Sequence, residues 1–387
     1  MAVKGLTELS IESVLSDELL ERFRKRAGGY DEANSFAHED FQELVELGYL
    51  KALLPQDQGG LGWSFEQLAL AQRRLATAAP ATALAVNMHQ VWSGVAYLLV
   101  ARGDHRLDMV SQWIAEGEVM AFGISEPGND AVLFDSKTTA QTQSDGSVIF
   151  TGTKIFTSLS PAFTRLGVFG KDQDTDELVH GFVAKGEGVE SLGDWNTLGM
   201  RASQSHTTKL RSALAPAAWV HSRLPVGPTA DLLIFGIFAS FLTLTASVYA
   251  GIAERAVALG ADAMNKRSHQ DGSKYSQDVR ARGILADAAM RMIALDALQR
   301  SVSRDLDELV DHGAEWFPRL VTFRTLAGDT ARDNVQSAGQ LLGGGAYFRG
   351  SEFERLYRDV QASWYHPSNA ASAANTVASW LVGPLDD

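Results

Sequence analysis

The chain has 387 residues, a formal charge of −13 and no cysteine, with 45% hydrophobic and 21% charged residues. That length is too great for one simple core and fits two or three domains, while the acidic balance opposes nucleic acid and anionic membrane as partners. Without cysteine there is no disulfide, no thiolate nucleophile and no cysteine-ligated metal, which fits a reducing cytoplasm; no metal site is expected.

The N-terminal stretch MAVKGLTELSIESVL has no basic region followed by an apolar core, so no signal peptide is expected. Residues 1–118 read as helix-rich. Phe41, Leu44 and Val45 fall at helical spacing until Gly48 ends the pattern, and Pro55, Gly59, Gly60 and Gly62 mark the loop that follows. A helix is expected over 65–77, and Pro80 opens another through ALAVNMHQVWSGVAYLLVA, apolar on nearly all sides and therefore buried. His89 lies in it beside Asn87 and Trp92, either as a satisfied core histidine or as a catalytic residue facing a pocket.

Residues 119–224 turn β-rich, with short runs such as 166–169 and 179–184 separated by Gly, Asp and Asn, and predict a compact barrel or sandwich. Segment 120–160 is the most informative. It begins MAFGISEPGND and ends GTKIFTSLS; between them, 137–143 (KTTAQTQ) and 148–150 flank the turn signal Ser144-Asp145-Gly146-Ser147 and predict a β-hairpin. Its ends set hydroxyl residues beside aromatics, which suits a flat heteroaromatic ring, with Phe122 and Phe156 against its face and Ser125, Thr157 and Ser158 bonding its edge. The same residues also describe an ordinary hairpin with a solvated turn.

Residues 225–387 are helical again. The run 232–250 (LLIFGIFASFLTLTASVYA) is 19 residues without a charge, about the length of a bilayer span. Ser240, Thr243, Thr245, Ser247 and Tyr249 interrupt it and no cationic flank adjoins Asp231, so a helix buried in a bundle is expected. From about 277 to 312, apolar residues at 285, 288, 292, 295, 298, 302, 306 and 309 step by three and four, the stripe of a bundle helix about 50 Å long. Such a helix needs partner helices, from this chain or another subunit. Gly343-Gly344-Gly345 ends the next helix and permits close backbone approach. No G-x-G-x-x-G follows a strand and no G-x-x-x-x-G-K occurs, so neither a Rossmann unit nor a phosphate loop is supported.

Five segments in order resemble those of the acyl-CoA dehydrogenase superfamily: LGYLKALLPQDQGGLG (47–62), ISEPGND (124–130), GTKIFTS (152–158), TLGMRASQS (197–205) and QLLGGGAYFRGSEFERLYRD (340–359). The resemblance implies an α+β, mostly helical fold with an N-terminal helical domain at 1–118, a middle β-domain at 119–224 and a C-terminal four-helix bundle at 225–387. It also implies flavin bound between the last two, and a homodimer or homotetramer. On the same resemblance Phe122, Ile124, Ser125, Phe156 and Ser158 surround the flavin ring, while Gln340, Gly343 and Gly344 lie near the adenylate half of a dinucleotide in a neighbouring copy. The family's R-x-x-F-G segment corresponds to KRSHQDGSKYSQD (266–278), where Arg267 remains but the Phe-Gly pair is absent, which weakens the expectation of tight FAD binding.

A dehydrogenase of that family needs a carboxylate to take the α-proton of its thioester substrate. Its two family positions fall on Pro367 and Phe241, and neither residue accepts a proton. These departures point to the branch of two-component flavin monooxygenases, which receive reduced FAD or FMN from a separate reductase and activate oxygen. That chemistry calls for a dry pocket and hydrogen-bond donors, not a base. Ser158, His366 and His89 are the catalytic candidates; His366, with a pKa near neutrality, would donate to activated oxygen or take a proton from a phenol, indole or amine. Asn369 is expected near the flavin phosphate or ribityl chain. An acyl-CoA or acyl-carrier-protein dehydrogenase with its base elsewhere is the alternative, and a catalytically silent flavin- or partner-binding protein is the third reading.

Overall fold

The computed structural model describes residues 9–385; the signal-peptide reading of residues 1–8 lies outside the described residues. Before the first strand come α1 (Ile11–Val14), α2 (Asp17–Ala33), α3 (His38–Glu46), α4 (Phe65–Ala76), α5 (Pro80–Val100) and α6 (Asp108–Glu116). Their starts follow local chemistry. Ser16 accepts from the Leu19 amide to cap α2, and Ser64 and Gln67 close a reciprocal box on α4, each satisfying amides that a first turn leaves unpaired. Pro80 opens α5, where its missing N–H costs nothing. As its all-round apolar pattern predicts, 18 of the 21 residues of α5 are buried.

The strands are β1 (Met120–Gly123), β2 (Thr139–Thr142), β3 (Val148–Thr157), β4 (Arg165–Asp172), β5 (Glu177–Ala184), β6 (Val189–Ser191), β7 (His206–Ala215) and β8 (Val220–Pro225). They form one connected sheet in the order β6-β7-β3-β2-β4-β5-β8, with β1 attached to β4 off that path. Two strands share one edge of β4: β1 runs parallel to Arg165–Val168, and β2 pairs only at Lys171 and Asp172. The sheet therefore divides at β4 into two wings, and β5 meets β7 across its interior, which satisfies the barrel-or-sandwich expectation. The predicted hairpin is β2–β3, antiparallel from Thr139↔Thr151 to Thr142↔Val148, its turn closed by the Ser147 carbonyl accepting from the Gln143 amide at 2.8 Å.

After the sheet come α7 (Leu232–Lys266), α8 (Val279–Asp307), α9 (Trp316–Leu342), α10 (Glu352–Asp359) and α11 (Ala370–Val382). The helix α7 packs against α9, α5, α4 and α8. Both α5 and α7 are long and apolar enough to cross a membrane by length and composition, yet 89% and 83% of their most apolar windows are buried inside the protein. Burial among neighbouring helices accounts for that apolarity.

The observed α8 is shorter than its apolar stripe suggests. It starts under an Asp278 cap and ends at Asp307, so Leu309 falls outside it, in a left-handed conformation (φ 55°) and 46% exposed. The reason lies in Asp307 itself, whose carboxylate accepts from the Phe65 amide (2.9 Å), the Glu66 amide (2.8 Å) and the Tyr97 hydroxyl (2.9 Å). The C-terminus of α8 thus caps the N-terminus of α4 and ties the bundle to the N-terminal helices. Asp307→Ala is expected to cost about 1–2 kcal/mol, read as a lower urea midpoint with an unchanged slope.

Candidate functional site

A cavity of about 270 Å³ opens where α5 and α7 meet the sheet. Its first wall is built by β1 and the end of β3. In β3 the buried positions Val148, Phe150 and Lys154 step by two and by four, a rhythm that would next bury residue 156. A bulge between Lys154 and Thr157 breaks it. Phe156 takes φ 59°, an uncommon conformation for an aromatic residue, and is 50% exposed on the cavity face, while Thr157 turns inward and is fully buried. The bulge brings Ser158 to the cavity beside Ser125, whose carbonyl accepts from the Ile155 amide at 2.9 Å. Phe122 and Ile124 complete this wall. β1 is pinned from behind by Trp92, whose indole N–H donates to the Ala121 carbonyl at 3.0 Å.

Leu84 and Met88 from α5, and Ile237, Phe238 and Phe241 from α7, form an apolar second wall. Phe241 stacks on Phe122 with ring centres 5.6 Å apart and planes 19° from parallel. The third wall is the loop of Trp195, Thr197, Leu198, Gly199 and Met200, with Ser205 beyond it. Gly199 lies so close to the α10 backbone that an added Cβ would stand 2.3 Å from the Arg358 carbonyl oxygen, and Asp359 accepts from the Met200 amide at 2.5 Å. The TLGM and ERLYRD motifs are thereby one packed unit. Arg358, Gln361, Ala362, Tyr365, His366 and Pro367 close the cavity.

Polar atoms on these walls are few. Ser158 Oγ lies 2.7 Å from Ser205 Oγ, which lies 2.8 Å from Ser203 Oγ, a buried chain of three hydroxyls leading away from the cavity. The His366 ring packs edge-on to Tyr249 at 5.7 Å and beside Phe241 at 6.4 Å, and neither of its ring nitrogens has a hydrogen-bond partner among the described residues. Burial and the nearby charge of Arg324 lower its pKa to about 3, so the near-neutral value expected from sequence is corrected: this imidazole is uncharged at physiological pH, a donor or acceptor but a weak base. Among the described residues no Asp or Glu lines the cavity. Phe241 and Pro367, the two positions where the family resemblance looks for a catalytic carboxylate, both lie on its wall. Among the described residues the single charged lining side chain is Arg358, and each of its five N–H groups is engaged, by Asp31, Glu354 and the Leu198 carbonyl.

Several expected site residues stand elsewhere. His89 is fully buried; its Nε2 donates to the Leu50 carbonyl (2.7 Å) and its Nδ1 accepts from the Met120 amide (3.0 Å). Burial lowers its pKa to about 4, so His89 is a neutral core pin joining α5 to β1, not a catalytic residue. Thr157 is turned away by the bulge. Asn369 is exposed and caps α11 by accepting from the Ser372 amide. Arg267, Gln340, Gly343 and Gly344 are absent from this cavity's lining; Arg267 donates to the Leu341 carbonyl at 2.7 Å and packs against Gly343.

Sequence reasoning passed over Leu84, Met88, Trp195, Ile237, Gln361 and Tyr365, which nothing local marks. It also passed over Glu126, which was legible as the acid directly before the proline of ISEPGND, matched by a lone lysine in GTKIFTS. Glu126 and Lys154 form a buried ion pair at 2.7 Å. The carboxylate further accepts from Ser136 Oγ and from the amides of Lys137 and Thr138, at 2.7–3.1 Å, and from Asn129 Nδ2 at 2.9 Å. Burial works to raise its pKa, but the Lys154 charge and these donors outweigh it and hold the carboxyl well below the usual range. The pair fixes the loop that carries Ser125.

Two family models match the chain: acyl-CoA dehydrogenase, N-terminal domain, over residues 9–107, and acyl-CoA dehydrogenase, C-terminal domain, over 243–370. Together they match more than half of it. L-evernosamine nitrososynthase of Micromonospora sp. is 26% identical, over 94% of this chain and 88% of that protein. Among solved structures, KijD3 in complex with FMN and dTDP-3-amino-2,3,6-trideoxy-4-keto-3-methyl-D-glucose superposes with TM-score 0.85 at 25% identity, covering 97% of this chain and 94% of that one. TdsC of Paenibacillus sp. A11-2 with FMN and indole superposes with TM-score 0.80 at 20% identity, covering 96% and 97%.

Proposed function

This chain belongs to the acyl-CoA dehydrogenase superfamily, and from that membership we propose that it is a flavin-dependent monooxygenase that hydroxylates a small organic substrate. The carrying observation is a cavity wall without Asp or Glu among the described residues, with Phe241 and Pro367 at the two positions where a dehydrogenase of the family is expected to hold its base. An acyl thioester does not lose its α-proton without such a base. The alternative of acyl-thioester desaturation therefore finds no acceptor here.

The donor set fits a flavin. Phe122, Ile124 and Phe156 offer apolar and aromatic contact to a flat tricyclic ring, and Ser125 and Ser158 offer hydroxyls to its polar edge. FMN in KijD3 and TdsC supports the same assignment. Reduced flavin, when bound, supplies two electrons to O2; one oxygen atom goes to the substrate and the other leaves as water. The protein's own part is to exclude bulk water with the α5 and α7 side chains and to hold developing negative charge on oxygen. Ser158 Oγ, backed by Ser205 and Ser203, and one ring N–H of His366 are the donors for that purpose. A separate reductase is proposed to supply the reduced flavin. Association of copies is proposed through exposed apolar residues such as Val279, Ile293, Tyr347, Phe348 and Val382, and in such an assembly Arg267 with Gln340–Gly344 is proposed to meet a neighbour's cofactor.

Anaerobic calorimetry with reduced and oxidised FMN and FAD, followed by admission of oxygen, tests the reading. Binding of reduced flavin and release of hydrogen peroxide more slowly than from free reduced flavin are expected. Failure to bind any of the four flavin forms contradicts it.

A further inference from the structure

Resting on the monooxygenase reading of this site, we propose that its substrate is a neutral, flat aromatic molecule, and that cationic amines and anionic or phosphate-bearing compounds are excluded. The first ground is the missing carboxylate. An ammonium group brought among Leu84, Met88, Ile237 and Phe238 would lose its hydration and meet no counter-charge, a situation that strongly disfavours the charged form.

The second ground concerns anions. Arg358 is the one cation on the wall, and a guanidinium has five N–H donors. Nε donates to Glu354, Nη1 to Asp31 and the Leu198 carbonyl, and Nη2 to Asp31 and Glu354, all within 3.1 Å. No donor is left for a carboxylate or phosphate, and breaking away from Asp31 would cost one of the ion pairs that join α10 to α2. Arg324, buried behind His366, donates to the Ser363 and His366 carbonyls and is not on the lining. Among the described residues, the wall therefore offers neither sign a free charged partner.

What remains favours an aromatic ring. With Phe122 and Phe156 taken by the flavin ring, Phe238, Phe241, Trp195 and Tyr365 remain on the wall for a guest, and such rings give a flat guest stacking and edge contacts. The His366 ring nitrogens, unpartnered among the described residues, are placed to meet a neutral N–H or O–H on such a ring. Phe241 also sets the boundary: a carboxylate there would readmit a cation.

Three 3-substituted indoles of nearly one size separate these cases: 3-propylindole (the neutral indole), tryptamine (cationic) and indole-3-acetate (anionic), titrated at pH 7 into protein loaded with oxidised FMN. The neutral indole is expected to bind at least tenfold more tightly than either charged analogue. Equal or tighter binding of tryptamine or indole-3-acetate overturns the proposal, and so does binding of none of the three. The titration needs no oxygen chemistry, so the two claims fail separately. Tight binding of the neutral indole by a protein that never oxygenates a substrate would sink the monooxygenase reading alone; oxygenation of a charged substrate with no affinity for the neutral indole would sink this one alone.

Discussion

Alanine in place of His366 is expected to slow product oxygenation about a hundredfold, while the affinity for reduced flavin changes by less than about threefold. The ring lies on the cavity wall against Tyr249 and Phe241, with both nitrogens free of partners among the described residues. A preorganised donor aimed at developing oxyanion charge in a water-poor site contributes roughly 3 kcal/mol. Oxygen uptake should continue in the variant but end increasingly as hydrogen peroxide. The pH profile gives an independent check. Because burial and Arg324 lower the imidazole pKa to about 3, the group is uncharged throughout the working range, and His366 should add no inflection above about pH 5. An acid limb near the ordinary histidine value of about 6.5 that disappears with His366→Ala would show instead that it titrates as a base.

Lys154→Ala is expected to destabilise the protein by about 3–5 kcal/mol, since it leaves the Glu126 carboxylate buried without its cation. Glu126 keeps its hydroxyl, amide and Asn129 donors, but these do not replace a charge lying over the Phe169 ring and bonded to the Phe169 carbonyl. Pairing Glu126→Gln with Lys154→Met should recover part of the loss, because two neutral partners leave no unpaired charge. The sign of the pH dependence follows from the carboxyl. Its folded pKa is held below the unfolded value of about 4.3, so its contribution is fully present above that value and is lost as pH falls through the folded pKa. Urea midpoints of the wild type should drop between pH 5 and pH 3 more than those of Lys154→Ala. The variant should also bind flavin less well, because the same pair anchors the loop of Ser125.

Much of the architecture was legible because helices announce their ends. Ser64 with Gln67, Pro80, Asp278 and Gly343 each mark a terminus by a local rule, and the hairpin turn at Gly146 does the same for β2–β3. The end of α8 was not legible, since Asp307 stops there to cap a helix about 240 positions earlier in the chain. The site divides in the same way. Phe122, Ile124, Ser125 and Ser158 sit in contiguous motifs, and the structure brings them to one wall. Thr157 went astray because a bulge, invisible to a period-two reading, exchanges its direction with that of Phe156. His89 sits one position after the lining residue Met88 on α5, which on a helix is enough to face a different neighbour. Trp195, Leu84 and Ile237 come from three distant segments, and only the tertiary fold makes them neighbours.

The fate of molecular oxygen tests the central claim most directly. With reduced FMN supplied by a reductase, 18O2 in the gas phase and a panel of neutral aromatic compounds beginning with indole, the product should carry one labelled oxygen atom and the second should appear in water. A panel that returns no labelled product, together with loss of the bound oxidised flavin's absorbance when saturated acyl thioesters are added under argon, would contradict the account and assign the cavity to dehydrogenation.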